Sequence, residues 1–151
     1  MILPLLLSAA LTLSGPAEPP PPAVSAHAAS QTGVESSAYH GTFFHKSQES
    51  KRKCIVKRES NGHYFSTNRA HGYFGAYQMN KPLAVGAAWM MRTELRKMFG
   101  HTVGTEISRM LRTTEPQKWN RFYQDMAWYT IVNWKGTGSG LHHWNGGRFA
   151  C

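Results

Sequence analysis

"CIVKRESNGHYFSTNRAHGYFGAYQM", residues 54–79, contains one carboxylate, Glu59, placed just before an Asn-Gly pair. Between Glu49 and Glu94 the chain carries eight Lys or Arg residues, and Glu59 is the only acid, so it is either a surface ion-pair partner or a working group. Two conformational regimes meet behind it. Upstream, residues 47–60 read as a helix that Ser47 can cap and that Asn61-Gly62 closes with a left-handed exit. Downstream, aromatic residues alternate with glycine, and Asn68, Gly72 and Gly75 are turn points, which predicts a short irregular hairpin or loop. On such a helix the surface neighbours of Glu59 are Ile55 and Val56, four and three positions back, whereas Lys57 and Arg58 point elsewhere. Apolar neighbours at the negative end of a helix favour the protonated carboxyl that a general acid requires. The same helix logic also accommodates a solvated surface Glu.

Further along, Pro82 is a favoured first-turn residue and predicts a helix through Leu83, Ala87, Met91, Leu95 and Met98 to Gly100. A short helix is expected around residues 105–111. Thr114-Glu115-Pro116-Gln117 has the pattern of a capping box opening another helix, with Trp119, Phe122, Tyr123, Met126 and Thr130 on one face. "KGTGSG" (135–140) ends it, and "LHHWNGGRFAC" (141–151) is a Gly-rich tail. The expected class is α+β, mostly helical with a small β-hairpin or loop region.

The apolar run 2–13 has no charge and is too short for a bilayer, which needs roughly 20 apolar residues. Followed by Ala26-His27-Ala28, it reads as a signal peptide over 1–28, with a flexible leader over 29–42 and one domain over 43–151. Loss of 1–28 removes Glu18 and no base, raising the net charge from +9 to +10. A cationic secreted protein suggests a polyanionic partner: a cell-wall polymer, anionic lipid or nucleic acid. Cys54 and Cys151 are the only cysteines, and in a secreted chain they suggest one disulfide closing nearly the whole domain. Eight histidines invite a metal reading, but no HExxH or CxxC spacing accompanies them, so no metal and no cofactor is expected. No nucleic-acid-binding motif is present.

Three motifs together carry a resemblance. Glu59-Ser60, then "GAYQ" (75–78), then "HWNGG" (143–147) resemble the signature of lysozyme-fold lytic transglycosylases, whose later motifs are similar to Gly-Leu-Met-Gln and Ala-Tyr-Asn-x-Gly. The pairing of "RESNGHY" with "GAYQM", a cysteine five residues before the Glu and another at the C-terminus resemble one branch more closely. That branch is the secreted actinobacterial transglycosylase-like domains, which include the resuscitation-promoting factors. The likeness covers about residues 50–80 and 119–151. It departs at His143-Trp144, where Ala-Tyr is usual, and at Asn80-Lys81-Pro82, where Pro-Ser-Thr-Trp is commoner.

The resemblance implies a lysozyme-like fold and a secreted, monomeric enzyme of a Gram-positive actinobacterium that cleaves the MurNAc–GlcNAc β-1,4 bond of peptidoglycan. Glu59 would be the catalytic residue and Gln78 would lie along the cleft. Tyr64, Tyr73 and Tyr77 are candidates to stack on or hydrogen-bond to sugars, with core packing as the competing role for Tyr64 and Tyr73. Trp144 and Asn145 would meet the cleft from the third motif, and Gly75 would let the backbone approach the ligand. A hydrolytic glycosidase normally uses two carboxylates, and Asp125 is the one plausible second acid. A lytic transglycosylase needs one. A hydrolytic muramidase and a catalytically silent wall-binding module of the same fold remain alternatives.

Overall fold

The computed structural model describes residues 32–145 and Cys151. The segment 1–28, expected to be a signal peptide, and Gly146-Gly147 of the third motif lie outside the described residues. A 3-10 turn, Lys46–Gln48, leads into helix α1, Glu49–Ser60. Ser47 does not cap it; the chain enters through Gln48 without a side-chain cap. The exit is as the sequence predicts: Asn61 is left-handed (φ 53°), and the Asn61 and Gly62 amides donate to the Lys57 and Val56 carbonyls. The Ser60 hydroxyl braces the same end by donating to Val56 O (3.1 Å).

The aromatic-glycine stretch forms a three-stranded antiparallel sheet of very short strands: β1 (Thr67–Asn68), β2 (Tyr73–Phe74) and β3 (Met79–Asn80), in that order. Asn68 faces Tyr73, and Tyr73 faces Asn80. Asn80 then caps helix α2, Lys81–Phe99, its side chain accepting from Leu83 N (2.9 Å). Helix α3, His101–Thr113, is longer than expected and folds back antiparallel on α2. Gly104 permits that approach, since a Cβ there would lie 2.5 Å from Leu95 O.

Helix α4, Arg121–Asn133, starts later than the sequence pattern suggests. Thr114 is occupied elsewhere: its hydroxyl donates to Met110 O (2.9 Å) and accepts from the Trp119 indole N–H (3.0 Å). Asn120 supplies the cap instead, accepting from Tyr123 N (3.1 Å). Nor is α4 buried on one face only; all its residues are buried, because it runs through the middle of the molecule. No helix among the described residues is long and apolar enough to cross a membrane.

The leader expected over 29–42 requires correction for its described part. Tyr39 is fully buried, and its hydroxyl bonds the Glu94 carboxylate (2.8 Å). Ala38 N donates to Asp125 Oδ2 (2.8 Å), Gly33 N to Gly62 O (2.9 Å), and Thr32 bridges to His63. This segment docks through backbone donors and acceptors, the Glu35 carboxylate on Arg121 and the Tyr39 ring, a mixture that leaves no hydrophobic periodicity to read.

Where these elements meet, Arg52 of α1 and Asp125 of α4 are wholly buried with Arg52 Nη1 3.5 Å from Asp125 Oδ1. Tyr64 and Tyr77 bridge the two: each hydroxyl donates to Asp125 Oδ1 (2.6 Å) and accepts from Arg52 Nη1 (3.3 and 3.1 Å). Burial, then the Asp125 charge, pushes both phenols upward, so they remain donors. Arg121 Nε approaches Asp125 Oδ2 (3.6 Å). Arg52 also donates to Glu49 (2.6 Å), whose carboxylate accepts from Ser37 N (3.0 Å) and Tyr129 OH (2.5 Å). The disulfide Cys54–Cys151, with Cα atoms 5.7 Å apart and 97 residues between them, fastens the chain end to α1. By chain entropy such a loop contributes about 4–5 kcal/mol.

Two outcomes follow. Asp125→Ala leaves Arg52 with Glu49 alone as its charge partner and the Tyr64 and Tyr77 hydroxyls without their acceptor, and should cost about 3–5 kcal/mol, read from chemical denaturation; a loss under 1 kcal/mol would refute the network's role. For Glu49, burial acts to raise the carboxyl pKa, but the bonds from Arg52, Tyr129 and Ser37 N outweigh it and hold it below its ordinary value. Its stabilisation is therefore complete above the unfolded carboxyl range and is lost as pH falls through the folded value. Glu49→Gln should lose less stability than wild type between about pH 5 and about pH 3, measured by urea titration at each pH.

Candidate active site

Glu59 lines a cleft of about 590 Å³ bounded by the end of α1, the small sheet, the first turn of α2 and the turn at Leu141–Trp144. The sheet contributes a polar wall through its register. Asn68, Tyr73 and Asn80 are successive cross-strand partners, and all three line the cleft with Gln78 beside them. Tyr73 is 41% exposed, so its ring is available to a ligand. Pro82 and Leu83 form the α2 side, and His143 and Trp144 the opposite rim. Glu59 is the only carboxylate among the described residues that line it.

The carboxylate is held by an unexpected partner. Arg58 donates to Glu59 Oε1 through Nε (2.9 Å) and Nη2 (2.7 Å), and Nη2 also reaches the Trp144 carbonyl (2.6 Å). Spacing alone turned Arg58 away from Glu59. In the structure the guanidinium folds across the last turn because the Trp144 carbonyl of the C-terminal turn anchors it. Ile55 and Val56 face the core instead of forming an apolar bed for the acid. Glu59 Oε2 has no hydrogen-bond partner among the described residues.

Gln78 adopts a left-handed conformation (φ 47°), and its side-chain amide donates to Gly75 O (2.9 Å). For a non-glycine residue this is strained by about 1–2 kcal/mol. Gly75 (φ 77°) does not serve the ligand as expected. It lets the turn press on the core, where a Cβ would lie 2.4 Å from Gln124 Oε1, the acceptor of Ala76 N.

Three residues expected in the cleft are placed elsewhere. Tyr64 and Tyr77 are fully buried with their hydroxyls on Asp125, so neither ring can reach a sugar. Asn145 is exposed but lines a separate recess with Lys51, Ile55 and Cys151. Asp125, weighed as a second acid, is sequestered in the core network. Trp144 does line the cleft, and its indole N–H donates to Tyr77 O (2.8 Å), fixing the rim to the sheet turn.

Asn68, Asn80 and His143 line the cleft without having been singled out for it. Aligning the strands across turns 69–72 and 75–78 would have brought the two asparagines opposite Tyr73. Burial, then the adjoining His142, pushes the His143 pKa down, so His143 is neutral at neutral pH. No group of three or more His, Cys, Asp or Glu among the described residues could hold a metal ion. The arrangement therefore offers one positioned carboxylate, an amide and phenol wall, and a neutral imidazole, a set suited to an uncharged polyhydroxylated ligand.

Because the Arg58–Glu59 pair is partly solvated, a double-mutant cycle with Arg58→Ala and Glu59→Gln should give a coupling of about 0.5–1 kcal/mol in unfolding. A coupling indistinguishable from zero would mean the pair does not hold Glu59. No family model matches the chain, and no curated protein or solved structure matches it.

Proposed function

We propose that the chain is a secreted, monomeric enzyme of lysozyme-like fold that cleaves the MurNAc–GlcNAc β-1,4 bond of peptidoglycan by the lytic transglycosylase route. The observation that carries this reading is a cleft walled by Asn68, Tyr73, Gln78 and Asn80 in which Glu59 is the single carboxylate among the described residues. Protonated Glu59 delivers its proton to the glycosidic oxygen as the bond to the anomeric carbon breaks. The resulting carboxylate removes the proton of the muramyl 6-hydroxyl, whose oxygen bonds to that carbon and closes an anhydro ring. No water is consumed, and Glu59 ends protonated as it began. Arg58 orients the carboxylate through Oε1 and leaves Oε2 for the proton transfers. The sheet's amides and the Tyr73 ring suit sugar hydroxyls and sugar faces.

A hydrolytic course normally uses a second carboxylate across the bond, and none other than Glu59 lines the cleft among the described residues. The net charge of +9 supports attraction to anionic cell-wall polymers.

Mass spectrometry of products from purified peptidoglycan tests the reading. The expected products carry anhydro-muramyl ends, and Glu59→Gln should slow their release by about 10³-fold. Reducing ends would convert the reading to a hydrolase. Equal rates from wild type and Glu59→Gln would remove Glu59 from the chemistry, and wall binding without cleavage would leave a silent binding module.

A further inference from the structure

A second groove of about 440 Å³ adjoins the Glu59 cleft and shares Pro82, Leu83 and His143 with it. We propose that this groove takes the peptide substituent of the glycan strand, so that the enzyme selects peptide-bearing over bare glycan. The inference rests on the proposed glycan-cleaving reading.

The two cavities differ in chemistry. The cleft presents a row of amides and a phenol, whereas the floor of the groove is Ala87, Met90, Ile131 and the face of Trp134. Trp134 is 47% exposed, and its ring leans on Phe43 with centroids 5.6 Å apart, which steadies it. A bare sugar chain presents hydroxyls at every ring and gains little from such a floor. Small apolar side chains, such as the alanines of a wall peptide, match it.

Charge narrows the occupant further. Lys135 at the rim is exposed and has no carboxylate partner among the described residues, and His142 and His143 are the other titratable groups of the groove. No carboxylate among the described residues lines it. A wall peptide carries free carboxylates between its alanines, so Lys135 complements it, whereas a strand stripped of peptide keeps only the lactyl carboxylate next to the sugar ring. Continuity supplies the geometry: His143 borders both cavities, so a substituent leaving the sugar ring in the cleft can pass directly into the groove.

The groove is open beside α2 because residue 86 is glycine, and a Cβ added there meets nothing within 4 Å. A larger side chain at this position therefore fills the groove without displacing core atoms.

The test compares kcat/KM of the full chain on peptide-bearing strands and on strands of equal length stripped by an amidase. Wild type should prefer the peptide-bearing strands by about tenfold. Gly86→Leu and Lys135→Ala should each lose most of that preference while cleaving stripped strands at the wild-type rate, and Lys135→Arg should retain it. Thermal unfolding of each variant confirms that it is folded. Equal wild-type rates on the two strands, or equal losses on both in the variants, would overturn the groove. Binding of both strands to Glu59→Gln separates the two ideas. Peptide-dependent binding without any wild-type cleavage would keep the groove and remove the cleavage reading, and binding of neither strand would remove both.

Discussion

A guanidinium and a carboxylate taken wholly out of water, Arg52 and Asp125, fix the positions of nearly everything else in this molecule. Leaving either charge alone in the interior would cost several kcal/mol, so the surroundings are arranged to satisfy both. The Tyr64 and Tyr77 hydroxyls stand between them, Arg121 closes the far side, Ala38 N fills the remaining carboxylate position, and Glu49 takes a second face of the guanidinium. Each partner comes from a different part of the chain. The ion pair thus sets the relation of α1, the sheet and its turns, α4 and the N-terminal segment in one place.

That relation is what builds the cleft. Arg52 lies two turns before Glu59 on α1, and Tyr77 immediately precedes Gln78, so the network that orders the core also sets the distance between the acid and the sheet turn. The third wall arrives by separate fastenings. The Cys54–Cys151 bond, the Arg58 bond to Trp144 O and the Trp144 bond to Tyr77 O hold the C-terminal turn against both. Among the described residues the two non-glycine residues with positive φ, Asn61 and Gln78, both follow the acid in sequence, one at the exit of α1 and one at the sheet turn. Backbone held in a costly conformation persists where surrounding contacts overdetermine it, and these turns are surrounded by such contacts.

Part of this was legible in the chain. Local rules placed the end of α1 at Asn61-Gly62, α2 behind Pro82, and turns at Asn68, Gly72 and Gly75, because those features depend on backbone conformations that a few adjacent residues dictate. The pairing of Cys54 with Cys151 was legible because the chain offers no other choice. Tyr64 and Tyr77 were misassigned for an equally physical reason. An aromatic residue with a hydroxyl suits a sugar site and a buried polar network alike, and only the position of Asp125, 48 residues beyond Tyr77, distinguishes them. The docked segment around Tyr39 carries no period, because many of its bonds are made by backbone groups that every sequence possesses and the rest by isolated side chains such as Glu35 and Tyr39.

The sequence by itself determined the helical character with a small irregular sheet, the isolation of Glu59 among bases, and the single covalent closure. Those depend on composition and on neighbours a few positions away. Tertiary structure alone decided that Arg58 turns onto Glu59, that Asn68, Tyr73 and Asn80 form one wall, and that a second groove opens behind His143. Each of these needs groups far apart in the chain to be brought within bonding distance, and that distance is set by the buried charges rather than by any local preference.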